Sequence, residues 1–243
     1  MRPVTDLHSH ILPGVDDGSA CVEESLAMLG MAARQGIRLM VATPHFDPRV
    51  DTPQEFLTRR NRAADRLQPH MTSDMPRLLL GAEVRYFPGI SDSDAVSLLC
   101  LEGGKALLLE LPEVEWPAYL WEELACFRER TGIIPIIAHL DRYISPFKTR
   151  RIPERLAELP LLIQANSRFF GNPMTRPLAM RLLREDKIHL LGSDCHGMEY
   201  RKPDLEKTLA LIGPMAHRIA QYEETILPPW AVEIYRRETE KDL

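Results

Sequence analysis

Two short segments repeat the same donor spacing. His8-Ser9-His10 and Asp194-Cys195-His196 each place two metal-ligand side chains at positions i and i+2. On extended chain both members of such a pair point to one side, so a pair can hold one ion or bridge two neighbours. Between them come His45 at the end of Ala42-Thr43-Pro44-His45, Glu83 at the end of Gly81-Ala82-Glu83, Glu110 after the apolar run Ala106–Leu109, and His139 after Ala138. Asp17 follows the first pair by about one turn. A lone HxH pair is a weak signal. The ordered series is a strong one, because coincidence would have to put nine such residues at the ends of successive apolar runs. Imidazoles and carboxylates without a thiolate suit manganese, iron or zinc about equally.

These residues need elements that bring them to one place. Seven short apolar runs precede them: Val4–His8, Leu39–Thr43, Arg77–Glu83, Ala106–Leu111, Ile134–His139, Leu161–Asn166 and Ile188–Asp194. Near-continuous rather than alternating hydrophobicity suits strands buried on both faces of a parallel sheet. Helical patterns lie between them. Val22, Leu26, Leu29 and Ala33 form a stripe, with Glu23 and Glu24 early and Gly36 past the end. Pro53–Leu67, Pro117–Arg130, Met174–Arg184 and Asp204–Ile212 complete the set. Repeated β/α units predict a wound sheet or, preferably, a distorted (β/α)7 TIM-like barrel. Functional groups of such barrels sit at the C-terminal ends of the strands. Six of the seven runs deliver a ligand-type residue there.

Composition bounds the rest. The chain has 243 residues, 44% hydrophobic and 27% charged, and its net charge is −5 from 30 Lys+Arg against 35 Asp+Glu. Nothing forms the basic stripe of a nucleic-acid binder. The apolar runs fall far short of the ~20 residues of a membrane helix, and the N-terminus lacks a signal-peptide core. Cys21, Cys100, Cys126 and Cys195 show no CxxC pair and read as reduced thiols, so the expected location is cytoplasmic. No linker or repeat divides the chain. The expectation is a single domain over 1–243, with a barrel core of about 4–212 and a tail of 213–243 that forms a packing helix or an interaction tail.

The ordered motifs carry a resemblance. Asp6-Leu7-His8-Ser9-His10-Ile11-Leu12-Pro13-Gly14-Val15-Asp16-Asp17-Gly18, followed by Glu23-Glu24-Ser25, leads to Ala42-Thr43-Pro44-His45, Gly81-Ala82-Glu83 and Glu110-Leu111-Pro112. Ala138-His139 with Arg142, Gln164-Ala165-Asn166 and Ser193-Asp194-Cys195-His196 follow. In these the chain resembles the polymerase-and-histidinol-phosphatase (PHP) superfamily, and within it the CpsB/CapC/YwqE-type tyrosine-protein phosphatases of capsule and exopolysaccharide systems. The resemblance implies the PHP fold and three divalent ions, manganese before iron or zinc. His8, His10, Glu110 and Asp194 would hold one ion. Glu110 would bridge to a second, held also by Glu83 and His139. Asp17, His45 and His196 would hold the third. Asp16, one residue away, competes with Asp17, whose place in the Asp-Asp-Gly motif fits better.

The implied reaction is hydrolysis of a phosphotyrosine monoester by a metal-bridging hydroxide, with Arg142, Asp17 and His196 as catalytic residues. A phenolate leaves with a conjugate-acid pKa of about 10, so a dedicated general acid matters less than for an alkyl ester. Arg142, Arg168, Arg85 and Tyr86 are the expected substrate contacts, with Lys148, Arg150 and Arg151 as further anion contacts. The implied partner is the phosphotyrosine-bearing tail of a capsule or exopolysaccharide tyrosine kinase. Two alternatives stand beside this reading: a PHP phosphatase of a small alkyl phosphate such as histidinol phosphate, and a non-catalytic metal-bound regulator of the kinase.

The chain departs from the family pattern in two places. His139-Leu140-Asp141-Arg142 stands where the branch has His-Pro-Glu-Arg, and Ser167-Arg168-Phe169-Phe170-Gly171-Asn172 is bulkier and more basic than usual. His70, His189 and His217 read as structural or solvated, Trp116, Tyr119, Leu120 and Leu124 as a packing face. Arg59, Arg60, Arg62 and Arg66 read as a solvated helix face, and Cys195 as a buried thiol.

Overall fold

The computed structural model describes residues 5–144 and 151–240. Its strands are β1 (Asp6–Ser9), β2 (Leu39–Ala42), β3 (His45–Phe46), β4 (Arg77–Leu80), β5 (Glu83–Arg85), β6 (Ala106–Glu110), β7 (Ile134–Ile137), β8 (Leu162–Asn166) and β9 (Leu190–Gly192). The helices are α1 (Val22–Arg34), α2 (Pro53–Leu67), α3 (Ala118–Thr131), α4 (Leu140–Tyr143), α5 (Ile152–Ala157), α6 (Ser167–Gly171), α7 (Arg176–Arg184), α8 (Leu205–Ile212), α9 (Ala216–Ile226) and α10 (Pro229–Glu240). All strand pairs are parallel. They run β1-β2-β4 in one sheet and β3-β5-β6-β7-β8-β9 in the other. Asp194 N–H donates to His8 C=O at 2.8 Å, and His10 N–H to Cys195 C=O at 2.9 Å, so the last strand's exit lies against the first.

Alternate strand residues serve two cores. Leu7, Leu39, Val41, Leu79, Ala106, Leu108, Ile136 and Leu190 share one apolar cluster. Residues from both ends of the strand order meet there, which is possible only because the sheet curls around them. Met40, Ala42, Leu107, Leu109, Ile137, Ile163 and Leu191 face outward into the larger cluster beneath the helices. This double burial explains the continuous apolar runs of the sequence.

Several local expectations need adjustment. The buried face of α1 centres on Ser25, Met28, Leu29 and Ala32, with Val22 and Leu26 of the expected stripe half-buried against the same core. Ser25 Oγ is drawn inward by Ser19 Oγ at 2.8 Å and by the carbonyl of Cys21 at 3.1 Å. Helix α2 begins with a capping box, Thr52 with Glu55, and has Pro53 in its first turn. Arg60 is not on a solvated face. It lies one turn beyond Phe56 on the buried side, and its Nη1 donates to the Gly81 carbonyl at 3.0 Å. Arg59 pairs with Asp51, and Arg66 donates to the Pro13 carbonyl.

Residues after 213 pack instead of trailing. Ile226, Leu227, Ala231 and Val232 join the cluster inside the curl, and buried Glu223 accepts the Thr5 N–H at 3.2 Å. His189 is structural: its Nδ1 accepts the Ile163 N–H at 2.9 Å and its ring meets Tyr222 edge-on. No helix among the described residues is long and apolar enough to cross a membrane.

Candidate metal centre

The strand ends converge. His8 and His10 leave β1, His45 begins β3, Glu83 begins β5 and Glu110 ends β6, while His139 and Asp194 follow β7 and β9. His139 and Asp194 have φ of 52° and 54°, the left-handed region that side-chain-bearing residues seldom occupy. Such turns are sustained only where surrounding structure holds them, and here they end each strand abruptly at a donor. Cys195 is buried as expected.

Among the described residues four donor groups form, each with its atoms within 4.8 Å of one another: His10/Asp17/His45/His196, His8/His10/Asp194, His8/Glu83/His139 and His45/Glu83/Glu110. All nine sequence-derived residues are present. Their arrangement differs in detail from the implied partition. Glu83 occupies the middle: its Oε2 is 3.2 Å from Nε2 of both His8 and His10 and 3.1 Å from His45 Nδ1, and its Oε1 contacts His139 Nε2. Glu110 stands with His45 and Glu83, and its Oε1 accepts from Arg142 Nη1 at 3.0 Å.

Asp16 and Asp17 face different tasks. Asp17 Oδ1 lies 3.6 Å from His45 Nε2 and 3.5 Å from His196 Nε2. Asp16 Oδ2 lies 2.6 Å from His10 Nδ1, behind the ring, and accepts the His45 N–H, while its Oδ1 accepts the Gly18 N–H. A carboxylate behind an imidazole fixes its tautomer and leaves Nε2 free for a cation. Two amides stand behind other rings: Gln164 Oε1 lies 3.4 Å from His8 Nδ1 and Asn166 Oδ1 3.3 Å from His139 Nδ1. Gln164 Oε1 accepts the His139 N–H at 2.9 Å, and Asn166 Nδ2 donates to Asp194 Oδ2 at 3.1 Å.

The electrostatics ask for cations. Burial would raise the Glu83 carboxyl, yet the charges of His8 and His139, with the His139 contact to Oε1, hold it well below its ordinary value. Asp194 is likewise depressed against burial, by His8, His139 and Arg201. Burial lowers His8 and takes His196 to about 4, where the charges of His10 and Arg201 add to it. His196 is therefore a neutral imidazole, the form that ligates metal. His10 rises to about 10 against burial because Asp16 and Glu83 flank it.

Divalent ions fit this donor set. Glu83 Oε2 and Asp194 Oδ1 are buried without a hydrogen-bond partner, both pointing among imidazole nitrogens. His8 Nε2 and His10 Nε2 lie 3.2 Å apart, and both face Glu83 Oε2. Orphaned buried acceptors are costly unless paired or metal-bound.

Arginines ring the cage. Around Asp194 Oδ2 stand Arg142 Nη2 at 3.1 Å, Arg168 Nη2 at 3.6 Å and Arg201 Nη2 in close contact. Arg201 Nη1 also lies 3.1 Å from His196 Nε2. Sequence reading missed Arg201. Its φ of 52° turns it back over the site, a cue invisible in the sequence. Arg85 Nη1 donates to Asp47 at 3.0 Å, and its Nε is 4.0 Å from Glu110 Oε2. The Tyr86 hydroxyl donates to Glu123 at 2.7 Å, so its ring lines a groove beside Glu110 while its hydroxyl is committed elsewhere. Lys148 and Arg150 lie outside the described residues; Arg151 is exposed at the start of α5.

Gly18 makes the close packing possible. A Cβ there would overlap the carbonyl and Cβ of His10. Gly18→Ala is expected to cost about 1–3 kcal/mol of stability by overpacking and to displace His10. Thermal melts and metal content of the variant check this, and a wild-type melt with full metal content would contradict it.

A curled parallel α/β fold with an imidazole–carboxylate cage at its C-terminal rim defines a class: proteins whose strand ends gather a donor set that could hold metal ions. Comparisons specify the member. The family described as "Capsular polysaccharide synthesis, CpsB/CapC" matches residues 4–229. The tyrosine-protein phosphatase YwqE of Bacillus subtilis is 31% identical over 214 residues, covering 85% of this chain and 83% of its own. The tyrosine-protein phosphatase CpsB of Streptococcus pneumoniae is 27% identical over 217 residues, covering 85% and 88%. A solved structure from a study of YwqE and CpsB, described there as unique metal-dependent tyrosine phosphatases, superposes with a TM-score of 0.78 at 24% identity, over 93% of this chain and 98% of that one. The chain belongs to the CpsB/CapC family, as its motifs implied.

Proposed function

We propose that this protein is a metal-dependent protein-tyrosine phosphatase acting on the phosphotyrosine-bearing tail of a capsule or exopolysaccharide tyrosine kinase. The observation that carries the reading is the pair of partnerless buried carboxylate oxygens, on Glu83 and Asp194, within a complete imidazole set and beneath a ring of arginines. The naming of its relatives as tyrosine-protein phosphatases and the family's description in capsular polysaccharide synthesis support the substrate and the partner.

His8, His10, Asp17, His45, Glu83, Glu110, His139, Asp194 and His196 would hold three divalent ions, manganese first. When bound, such ions supply positive charge to the phosphoryl oxygens and make a water acidic enough to serve as nucleophile near neutral pH. Asp16, Gln164 and Asn166 keep the ligating atoms aimed inward. Arg142 and Arg201 now neutralise Asp194. From there both guanidinium groups would supply charge-assisted hydrogen bonds to a phosphoryl group bound at the cage. Arg168 and Arg85 stand further out. Asp17 and His196 form the outer edge, where Asp17 is open to solvent and protons can leave. A phenolate leaves readily, so no separate acid is required.

The fold belongs to the same reading. β2 with β3, and β4 with β5, are consecutive halves of single interrupted strands, giving seven strand positions. The hydrogen bonds between the ends of β1 and β9 support closure into a distorted (β/α)7 barrel. The helices α9 and α10 would belong to this one domain, since their side chains enter its inner core. The free cysteines support a reducing, cytoplasmic location.

The test is substrate preference. At equal enzyme and saturating Mn²⁺, kcat/KM for a phosphotyrosyl peptide is expected to exceed that for histidinol phosphate by about a hundredfold or more, ~2.7 kcal/mol in transition-state terms. Preference for histidinol phosphate would favour the alkyl-phosphatase alternative. Hydrolysis of neither with any metal would favour the non-catalytic regulator.

A further inference from the structure

A groove of about 560 Å³ opens directly beside the cage, between the chain after β3, the chain after β5 and the chain after β6. Its size falls in the range of small-ligand sites, roughly 300–1,000 Å³. Pro48, Phe87, Pro88, Leu111 and Pro112 supply apolar walls, and Arg49 and Arg85, both paired with Asp47, stand among them with Glu113. Glu110 belongs both to this groove and to the donor set, so groove and cage are continuous. Phe87 is only half-buried against the core, which leaves part of its ring to the groove. Val50 and Val114, 76% and 68% exposed, each follow a lining residue, Arg49 and Glu113, in the chain.

We infer that this groove binds the tyrosine ring and the adjoining peptide of the substrate, with Phe87 as the specificity-determining wall. The inference rests on the phosphatase reading and deepens it. In an aryl phosphate one ester oxygen joins phosphorus to the ring, so a phosphoryl group at the cage places the rigid ring against the neighbouring wall. Phe87 offers an aromatic partner and the prolines a flat apolar one, contacts a short alkyl ester cannot make. Single exposed valines are ordinary. Two that each follow a lining residue of one groove provide apolar contact for polypeptide beyond the tyrosine.

Binding separates this inference from catalysis. Calorimetry on the metal-loaded protein would use phenylphosphonate and a peptide carrying phosphonomethyl-phenylalanine, both non-hydrolysable. Phe87→Ala is expected to weaken both about tenfold, while Phe87→Leu restores most of the affinity and controls for folding. The double variant Val50→Ser/Val114→Ser, at exposed positions that tolerate exchange, is expected to weaken the peptide about threefold and leave phenylphosphonate unchanged. Wild-type affinity in both Phe87→Ala and the double variant would overturn the inference, as would failure of the wild type to bind either probe. Groove-dependent binding without hydrolysis would retain the groove and refute the phosphatase reading. Hydrolysis without groove-dependent binding would do the reverse.

Discussion

Glu83→Gln is expected to lower phosphotyrosine hydrolysis at least about a thousandfold, the kinetic equivalent of ~4 kcal/mol, and to strip bound metal from the purified protein. The reason is position. Glu83 is the side chain that reaches His8, His10, His45 and His139 at once. An amide of the same shape keeps the packing but brings no charge to hold cations, and it turns a donor toward imidazole nitrogens. The comparison with Asp16→Asn is informative. Asp16 supports His10 from behind, and loss of such an orienting partner typically costs ~10–100-fold. Elemental analysis alongside activity, with circular dichroism to verify folding, checks the pair. Full metal content in Glu83→Gln would remove Glu83 from the cage.

Arg142→Ala is expected to lower kcat by about 10²–10³-fold, the range for loss of one preorganised donor to developing charge, with metal content unchanged. Arg142 follows His139 by one short turn, and its two Nη atoms already straddle the cage, one on Glu110 and one on Asp194. Burial opposes its charge, but Asp194, Glu83 and Glu110 more than offset that, so it stays cationic throughout the working pH range. Arg142→Lys should recover only part of the rate, because an ammonium cannot reproduce the planar fork. Arg201→Ala is the natural companion, since Arg201 shares Asp194 Oδ2 with Arg142. Wild-type turnover in Arg142→Ala would remove the arginine from the reaction.

The donor residues were legible in the sequence because the chemistry is local. An HxH pair or an Asp-Cys-His triplet needs only extended chain to present two ligands together, and apolar runs announce where each strand ends. The distinction between Asp16 and Asp17 was legible only through the Asp-Asp-Gly motif, which favoured Asp17, and not from spacing. Both follow the same strand, and the turn that sends one behind His10 and the other toward His196 depends on Gly18 packing against the His10 carbonyl. Arg201 stayed hidden for a similar reason: a left-handed residue in a loop reverses the chain without a motif. Arg60 looked solvated because charge suggests solvent, yet it satisfies a buried carbonyl that nothing local reveals. Packing of residues after 213 was one of two readings left open, because the partners that decide it, Leu7, Leu39 and Leu79, lie far away in the chain.

The decisive measurement is metal stoichiometry of the purified protein, taken together with hydrolysis of a phosphotyrosyl peptide before and after treatment with a chelator. The expected result is about three divalent ions per chain, activity abolished by their removal and restored by Mn²⁺. Protein that holds no metal, or that hydrolyses phosphotyrosine equally well without it, would contradict the account.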